Sequence, residues 1–206
     1  MEPNFNIVTP HHTRQLLKTQ KNFFSDRLEQ LLKITEVKSI RVRTSDLNET
    51  DLIQITSHIR EIVGNDISIL IEDQIEVVLK LDANGVHLTS GQKFIKKAKS
   101  ILSEDHLIGS FCGLSKHSGL IAAENGADYI SFAAHSNSTR TNKQVVELFK
   151  WWSEFIEIPV MGECHENYFL SPDIWNYCDF VSLGNEVWNP EFVCGSSLQP
   201  LKFNLI

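Results

Sequence analysis

Basic side chains cluster where three of the predicted buried strands end. Arg43 closes one such strand, and the other basic residues are spread over two later loops: Lys116, His117, His135, Arg140 and Lys143. Arginine offers two parallel N–H donors to a phosphate, and lysine and protonated histidine add positive charge. These residue types therefore indicate a binding site for an anionic, phosphorylated group.

Two adjacent carboxylates, Glu72 and Asp73, follow the buried run SILI. Carboxylate oxygens are ligands that Mg²⁺ prefers, and a carboxylate in such a place also serves as a general base. Asp73 would equally well cap the N-terminus of the helix that follows. The sequence leaves both roles open.

Cysteine and histidine side chains form a second group of candidates. Cys112, Cys164 and His165 lie at the ends of two predicted strands, where they could meet across a barrel. A zinc site needs three or four ligands, and no C-x-x-C or H-x-x-x-H spacing marks one here. A nucleophilic cysteine with His117 or His165 as its base stays an alternative. His87, inside the apolar run GVHL, is expected to be a hydrogen-bonded structural histidine.

The loops that carry these residues are positioned by a regular alternation of short apolar runs and helical segments. Runs such as YISF and FVSL are apolar on both faces, which is typical of parallel strands covered by helices. Eight strand–helix units predict one (β/α)8 TIM barrel over residues 1–206. The expected strands are 6–9, 38–43, 67–71, 85–88, 106–110, 129–132, 158–161 and 180–183. The active site of such a barrel lies at the C-terminal ends of its strands.

An open, doubly wound sheet is the competing architecture. That fold would favour a G-x-G-x-x-G turn after the first strand, but the first predicted strand runs into TPHH. The pattern therefore favours the barrel.

Composition excludes several classes of function. The 206 residues carry a net charge of −7, which argues against nucleic-acid binding. No apolar run approaches the roughly 20 residues that span a membrane. The start, MEPNFNIVTPHH, lacks the basic and apolar regions of a secretory signal. We expect a cytoplasmic protein with four reduced cysteines.

The stretches IEDQIEVVLKLDANGVHL, IGSFCGLSKHS and NGADYISF resemble the thiamine phosphate synthase/TenI family, whose members carry N-D…A-D-G-V-H-L-G-Q-x-D…G-A-D-Y-V. NIVTP is similar to the family's first strand and IPVMG to its seventh, while GLSKH and WW look closest to an alphaproteobacterial-type branch. The resemblance implies a (β/α)8 barrel that joins hydroxymethylpyrimidine diphosphate to a thiazole phosphate and releases pyrophosphate. It also implies Mg²⁺, small phosphorylated substrates and a homo-oligomer.

The resemblance assigns roles to individual residues. Arg43 matches the arginine of the pyrophosphate motif Q-x-R-x-K, and Arg41 takes the place of its glutamine. Asp73 matches the first metal-binding aspartate. Ser138 falls on the first hydroxyl position of the P-T-x-T-K loop, and Arg140 is placed to replace its lysine.

The sequence departs from the family pattern at other positions. Ser45 stands where Q-x-R-x-K has lysine, and Asn185 stands where the eighth loop has a phosphate-binding serine. Gln92 replaces the second metal aspartate, and a neutral amide binds a hard cation less well. Glu72, in place of an asparagine, would give the metal another carboxylate.

The phosphate-binding loops also differ from the family. Cys164 and His165 occupy the glycine pair of the seventh loop. The glutamates at 163, 166 and 186 would repel a dianion unless they point away.

Three functions follow from these observations. The first is a thiamine phosphate synthase-type transferase that works through Arg43, Asp73 and Arg140. The second is a TenI-like thiazole tautomerase in which His117 or His135 is the base. The third is a non-catalytic, ligand-binding barrel that has lost its metal and phosphate sites.

Overall fold

Eight parallel strands close into a barrel in the order of the sequence, with β1 hydrogen-bonded to β8. The computed structural model describes residues 4–34, 36–133, 141–163 and 172–189. The strands are β1 Asn4–Val8, β2 Val37–Val42, β3 Ser68–Glu72, β4 Gly85–Leu88, β5 Leu107–Phe111, β6 Tyr129–Phe132, β7 Val160–Glu163 and β8 Phe180–Leu183. The predicted (β/α)8 TIM barrel is confirmed.

Helices follow the strands around the outside. They are α1 Thr13–Thr19, α2 Lys21–Ile34, α3 Glu49–Val63, α4 Ile75–Val78, α5 Ile95–Ile101, α6 Lys116–Glu124, α7 Asn142–Phe155 and α8 Pro172–Trp175, with 3₁₀ turns at Gly91–Phe94 and Asn185–Trp188. A capping box at Asn48 starts α3, and Gly64, with a positive φ of 64°, ends it. None of the helices in the described ranges is long and apolar enough to cross a membrane.

The apolar residues form two separate layers. The larger one fills the space between the barrel and its helices and includes Trp152 and Phe132. The smaller one joins Leu70, Tyr129 and Met161. Because these three come from β3, β6 and β7, they meet inside the barrel. Tyr129 lies against Gly109, whose missing side chain leaves room for the ring.

The strands β3, β5 and β7 end later than the sequence predicts, and in β3 and β7 the difference moves a glutamate. β7 ends at Glu163 rather than at residue 161, and β3 ends at Glu72 rather than at residue 71. Both glutamates consequently belong to strands of the barrel and not to the loops that follow them. Glu163 is 3% exposed.

Candidate active site

Arg43 and Asn185 meet at the C-terminal end of the barrel. Arg43 follows β2 directly, and its backbone N–H donates to Thr9 Oγ1 at 3.0 Å. Its Nη1 donates to Asn185 Oδ1 at 2.9 Å, and the same oxygen accepts from the backbone N–H of His11 at 3.3 Å. Segments after β1, β2 and β8 therefore meet around Arg43 and Asn185.

The Arg43 guanidinium is a buried cation with a neutral partner. The residue is 8% exposed, and burial lowers its pKa while the carboxylates of Glu72 and Glu163 oppose that effect. Arginine keeps its charge in proteins under such conditions. Within the described residues, no carboxylate oxygen lies within 4.0 Å of this guanidinium. The site is consequently suited to receive an anion.

Arg41 behaves differently, although it lies only two residues away on the same strand face. Its Nη1 and Nη2 donate to Glu163 Oε1 and Oε2, both at 2.9 Å, and its Nε lies 3.2 Å from Glu72 Oε1. Burial alone would lower the pKa of Arg41, but Glu163 outweighs it and raises the pKa. Arg41 is 3% exposed and bridges two carboxylates inside the barrel.

His87 and Tyr129 hold Glu163 from the other side. His87 Nε2 lies 3.2 Å from Glu163 Oε1, and its Nδ1 lies 2.8 Å from the Tyr129 hydroxyl. Burial would raise the pKa of the Glu163 carboxyl, but Arg41 and His87 hold it well below its ordinary value. Burial lowers the pKa of His87 and raises that of Tyr129. The hydrogen bond between His87 Nδ1 and the Tyr129 hydroxyl makes His87 the hydrogen-bonded structural histidine that its sequence context predicts.

Asp73 fixes the loop after β4. Its Oδ1 accepts the backbone N–H of Thr89 at 2.8 Å, and its Oδ2 accepts the Thr89 hydroxyl. Asp73 has a positive φ of 54° and is exposed. The expected N-cap role is wrong, because Gln74 occupies the N-cap of α4 and the Asp73 carboxylate turns to the neighbouring loop instead.

The candidate metal ligands are unequally available. Glu72 is engaged by Arg41, and burial raises the pKa of its carboxyl against the effect of both arginines. Gln92 is half-buried in the 3₁₀ turn three residues beyond Thr89. Among the described residues, no group of three or more histidine, cysteine or acidic side chains is arranged to hold a metal ion. Metal binding by Glu72, Asp73 and Gln92 stays a prediction.

The candidate residues that follow β5 differ from Arg43 in their exposure and in the groups they contact. His117 is exposed in the first turn of α6. Lys116 Nζ lies 4.0 Å from the centroid of the Trp151 ring on α7, so its charge is directed to an aromatic face. Cys112 is buried, which raises the pKa of its thiol to about 11 and makes it a poor nucleophile at neutral pH.

Several predicted residues lie outside the described part of the chain: His135, Ser138 and Arg140 of the sixth loop, and Cys164, His165 and Glu166 of the seventh. Of the glutamates expected to repel a dianion, Glu163 is neutralised by Arg41. Glu186 accepts the backbone N–H of Gly184 at 2.6 Å, and burial raises its pKa.

Sequence comparison now adds to this geometry. The family model described as thiamine monophosphate synthase, TMP-TENI, matches residues 6–163. The chain belongs to this family. A thiamine-phosphate synthase of Erythrobacter litoralis is 29% identical over 177 residues, which cover 81% of this chain and 82% of that protein. A thiamine-phosphate synthase of Rhodospirillum centenum is 24% identical over 171 residues, covering 81% and 83%.

A solved structure shares the barrel fold. The thiamine phosphate pyrophosphorylase of Pyrococcus furiosus superposes with a TM-score of 0.69 at 21% identity, covering 91% of this chain and 88% of that one. At this identity the match supports the barrel fold. The predicted resemblance to the TMP-TENI family is confirmed by the family model and the relatives together.

Two side-chain pairings in this TMP-TENI barrel are not predicted by the sequence. Thr89 binds both oxygens of Asp73, and Glu163 binds Arg41, residues that are 122 positions apart. A signal existed for the second pair, because charged residues within apolar strand runs are seldom buried without a partner. The sequence could not say which of several opposite charges that partner is.

Proposed function

We propose that this protein is a thiamine phosphate synthase-type transferase. It joins hydroxymethylpyrimidine diphosphate to a thiazole phosphate and releases pyrophosphate. The observation that carries the proposal is the Arg43–Asn185 pair, a buried guanidinium held by a neutral amide at the mouth of a TMP-TENI barrel. Several relatives are named thiamine-phosphate synthase, in agreement with this reaction.

The bond between the pyrimidine methylene carbon and the diphosphate oxygen breaks. The same methylene carbon forms a new bond to the thiazole ring. Negative charge accumulates on the leaving pyrophosphate, and a guanidinium already fixed in place stabilises that charge without reorganisation. Arg43 supplies this guanidinium, and the Asn185 and Thr9 contacts fix its position. Arg140 and Ser138 are proposed to contact the same group from the sixth loop.

We propose that Asp73, with Gln92, would hold a Mg²⁺ ion when the diphosphate is bound. Magnesium is commonly held by one or two carboxylates and by substrate phosphate oxygens, and it neutralises charge on the leaving group. Asp73 offers one carboxylate with lone pairs beyond those that Thr89 uses. Gln92 would add a carbonyl oxygen, whereas Glu72 is already paired with Arg41. The donor set suits an ion shared with the substrate.

The proposal also includes the type of substrate, the location of the protein in the cell and its oligomeric state. We expect small phosphorylated substrates, a cytoplasmic location with reduced cysteines, and a homo-oligomer. Substrate contacts by Arg41 would require it to leave Glu163, so we assign direct contact to Arg43 and Asn185.

The test is synthesis of thiamine phosphate by the purified protein from both substrates with Mg²⁺. Asp73→Asn should abolish the product while the protein stays folded by circular dichroism. Asp105→Asn, an exposed aspartate that precedes β5 at the opposite end of the barrel, is the matched control and should keep full activity.

The other outcomes separate the alternatives. Isomerisation of a thiazole carboxylate phosphate without metal, lost in His117→Gln or His135→Gln, would replace the synthase by the tautomerase. Absence of product together with absence of pyrophosphate binding by calorimetry would indicate a non-catalytic barrel.

A further inference from the structure

We propose that Arg41 and Glu163 are positioning residues that keep Glu72 away from Arg43, so that the Arg43 guanidinium has no carboxylate partner and is available to the pyrophosphate group. This inference rests on the proposed function for the identity of the anion. It concerns residues inside the barrel, below the proposed substrate.

The argument begins with the register of two neighbouring strands. Val42 of β2 is paired with Ile71 of β3, and the next residues along the parallel strands are Arg43 and Glu72. Side chains at such positions lie close enough to interact. Burial raises the pKa of Glu72, and both arginines counteract that effect. Arg43 is therefore an available partner for the Glu72 carboxylate.

Glu72 nevertheless pairs with the other arginine. Its Oε1 lies 3.2 Å from Arg41 Nε, while Arg43 donates to the neutral Asn185. Because Arg41 and Arg43 are two residues apart, both side chains project to the same face of the sheet. Glu72 thus has two possible cationic partners, and in the structure it pairs with Arg41.

Glu163 explains that selection. Its two oxygens engage Nη1 and Nη2 of Arg41, which fixes the guanidinium with Nε at ion-pair distance, 3.2 Å, from Glu72 Oε1. His87 approaches Glu163 Oε1 at 3.2 Å and fixes the carboxylate in turn. Bidentate pairing with a carboxylate sets the orientation of a guanidinium as well as its position. The ion pair therefore holds the positive charge of Arg41 beside the Glu72 carboxylate.

The test measures pyrophosphate affinity and thermal stability in a double variant, a triple variant and two single-substitution controls. The double variant Arg41→Gln/Glu163→Gln removes both charges of the buried pair and leaves no unpaired ion from it. The triple variant adds Glu72→Gln. Binding of inorganic pyrophosphate is measured by calorimetry in EDTA, so that only protein cations contribute. Thermal unfolding is recorded for the same samples.

In the double variant Glu72 should turn to Arg43, and the dissociation constant for pyrophosphate should rise roughly tenfold. In the triple variant it should return to within about threefold of the wild-type value, because Arg43 is again unneutralised. Arg43→Gln should lose binding in every background. Arg60→Gln is the control for destabilisation, since Arg60 binds carbonyl oxygens of Gly64, Ile67 and Asp82 at the other end of the barrel. It should bind pyrophosphate as the wild type does.

Wild-type affinity in the double variant would overturn the inference, and so would a triple variant that is not rescued. Should the double variant not fold, Arg41→Lys keeps the charge opposite Glu163 but lacks the planar guanidinium that contacts both Glu163 and Glu72, and it should weaken pyrophosphate binding in the same direction. Absence of pyrophosphate binding by the wild type would also reject the inference. Loss of synthase activity with the binding pattern intact would instead reject only the proposed function.

Discussion

Glu163 and Arg41 form a bidentate ion pair inside the barrel, with both N–O distances at 2.9 Å. The pair joins β7 to β2 across the interior, and each residue is 3% exposed. Charges buried this deeply are tolerated when they are paired and hydrogen-bonded. The interior of this barrel is consequently held together by polar contacts as well as by apolar packing.

Breaking one side of this pair should be costly, because it leaves the other charge buried alone. We expect Glu163→Gln or Arg41→Gln each to lower the free energy of unfolding by about 3–5 kcal/mol. The double variant should lose clearly less than the sum of the two. Urea unfolding followed by tryptophan fluorescence measures all three. Additive losses would contradict the pairing.

The buried histidine predicts how stability depends on pH. Burial lowers the pKa of His87 from its ordinary 6.5, so below that pH the unfolded chain binds a proton that the folded protein does not. The free energy of unfolding should therefore fall as the pH drops from about 7 to 5, by up to about 1.4 kcal/mol per pH unit for one group. His87→Gln should flatten this slope. His58, whose pKa burial also lowers but which is less enclosed, is the control, and His58→Gln should change the slope less.

Restoring a carboxylate at position 92 should strengthen magnesium binding. Gln92→Asp adds an anionic oxygen to the loop that Thr89 anchors on Asp73. We expect the Mg²⁺ concentration for half-maximal synthase activity to fall roughly tenfold, since hard cations prefer charged oxygen ligands. Gln74→Asp, at the N-cap of α4, is the control for a nearby added charge. Equal effects of the two variants would show that only local charge matters.

Gly109 should not tolerate a side chain. A Cβ at this position would lie 2.0 Å from Tyr129 Cζ inside the barrel. We expect Gly109→Ala to cost at least about 2 kcal/mol, because the ring has no free space to enter. Gly113→Ala is the matched control. Its Cβ would meet nothing within 4 Å, so only its positive φ of 56° opposes alanine, at about 1 kcal/mol. Similar melting temperatures for the two variants would refute the packing argument.

Cys112 should be unreactive in the folded protein. Its thiol pKa of about 11 leaves on the order of one thiolate in a thousand at pH 8. Brief treatment with iodoacetamide, followed by mass spectrometry, should leave Cys112 unmodified until urea is added. Cys112→Ala should keep synthase activity. Rapid alkylation, or loss of activity in the variant, would support a role for Cys112 as a nucleophile.

Local patterns were sufficient for the architecture. The amphipathic stretch 49–63 matches α3 at both ends, and Gly64 ends it in the left-handed conformation that glycine favours. The apolar runs also predict all eight strands of the barrel in their correct order. This succeeds because helical periodicity and capping depend on residues close together in sequence. Strand ends were less certain, and the apolar run through Met161 gave no sign that β7 continues to Glu163.

The sequence by itself determined the barrel and the family, and it located Arg43 and Asp73 at strand ends where chemistry is expected. Only the tertiary structure decided which charge meets which. The sequence does not reveal that Arg41 is joined to Glu163 and Arg43 to Asn185. Closing the barrel brings together residues more than a hundred positions apart, and the pairing of buried charges depends on that closure.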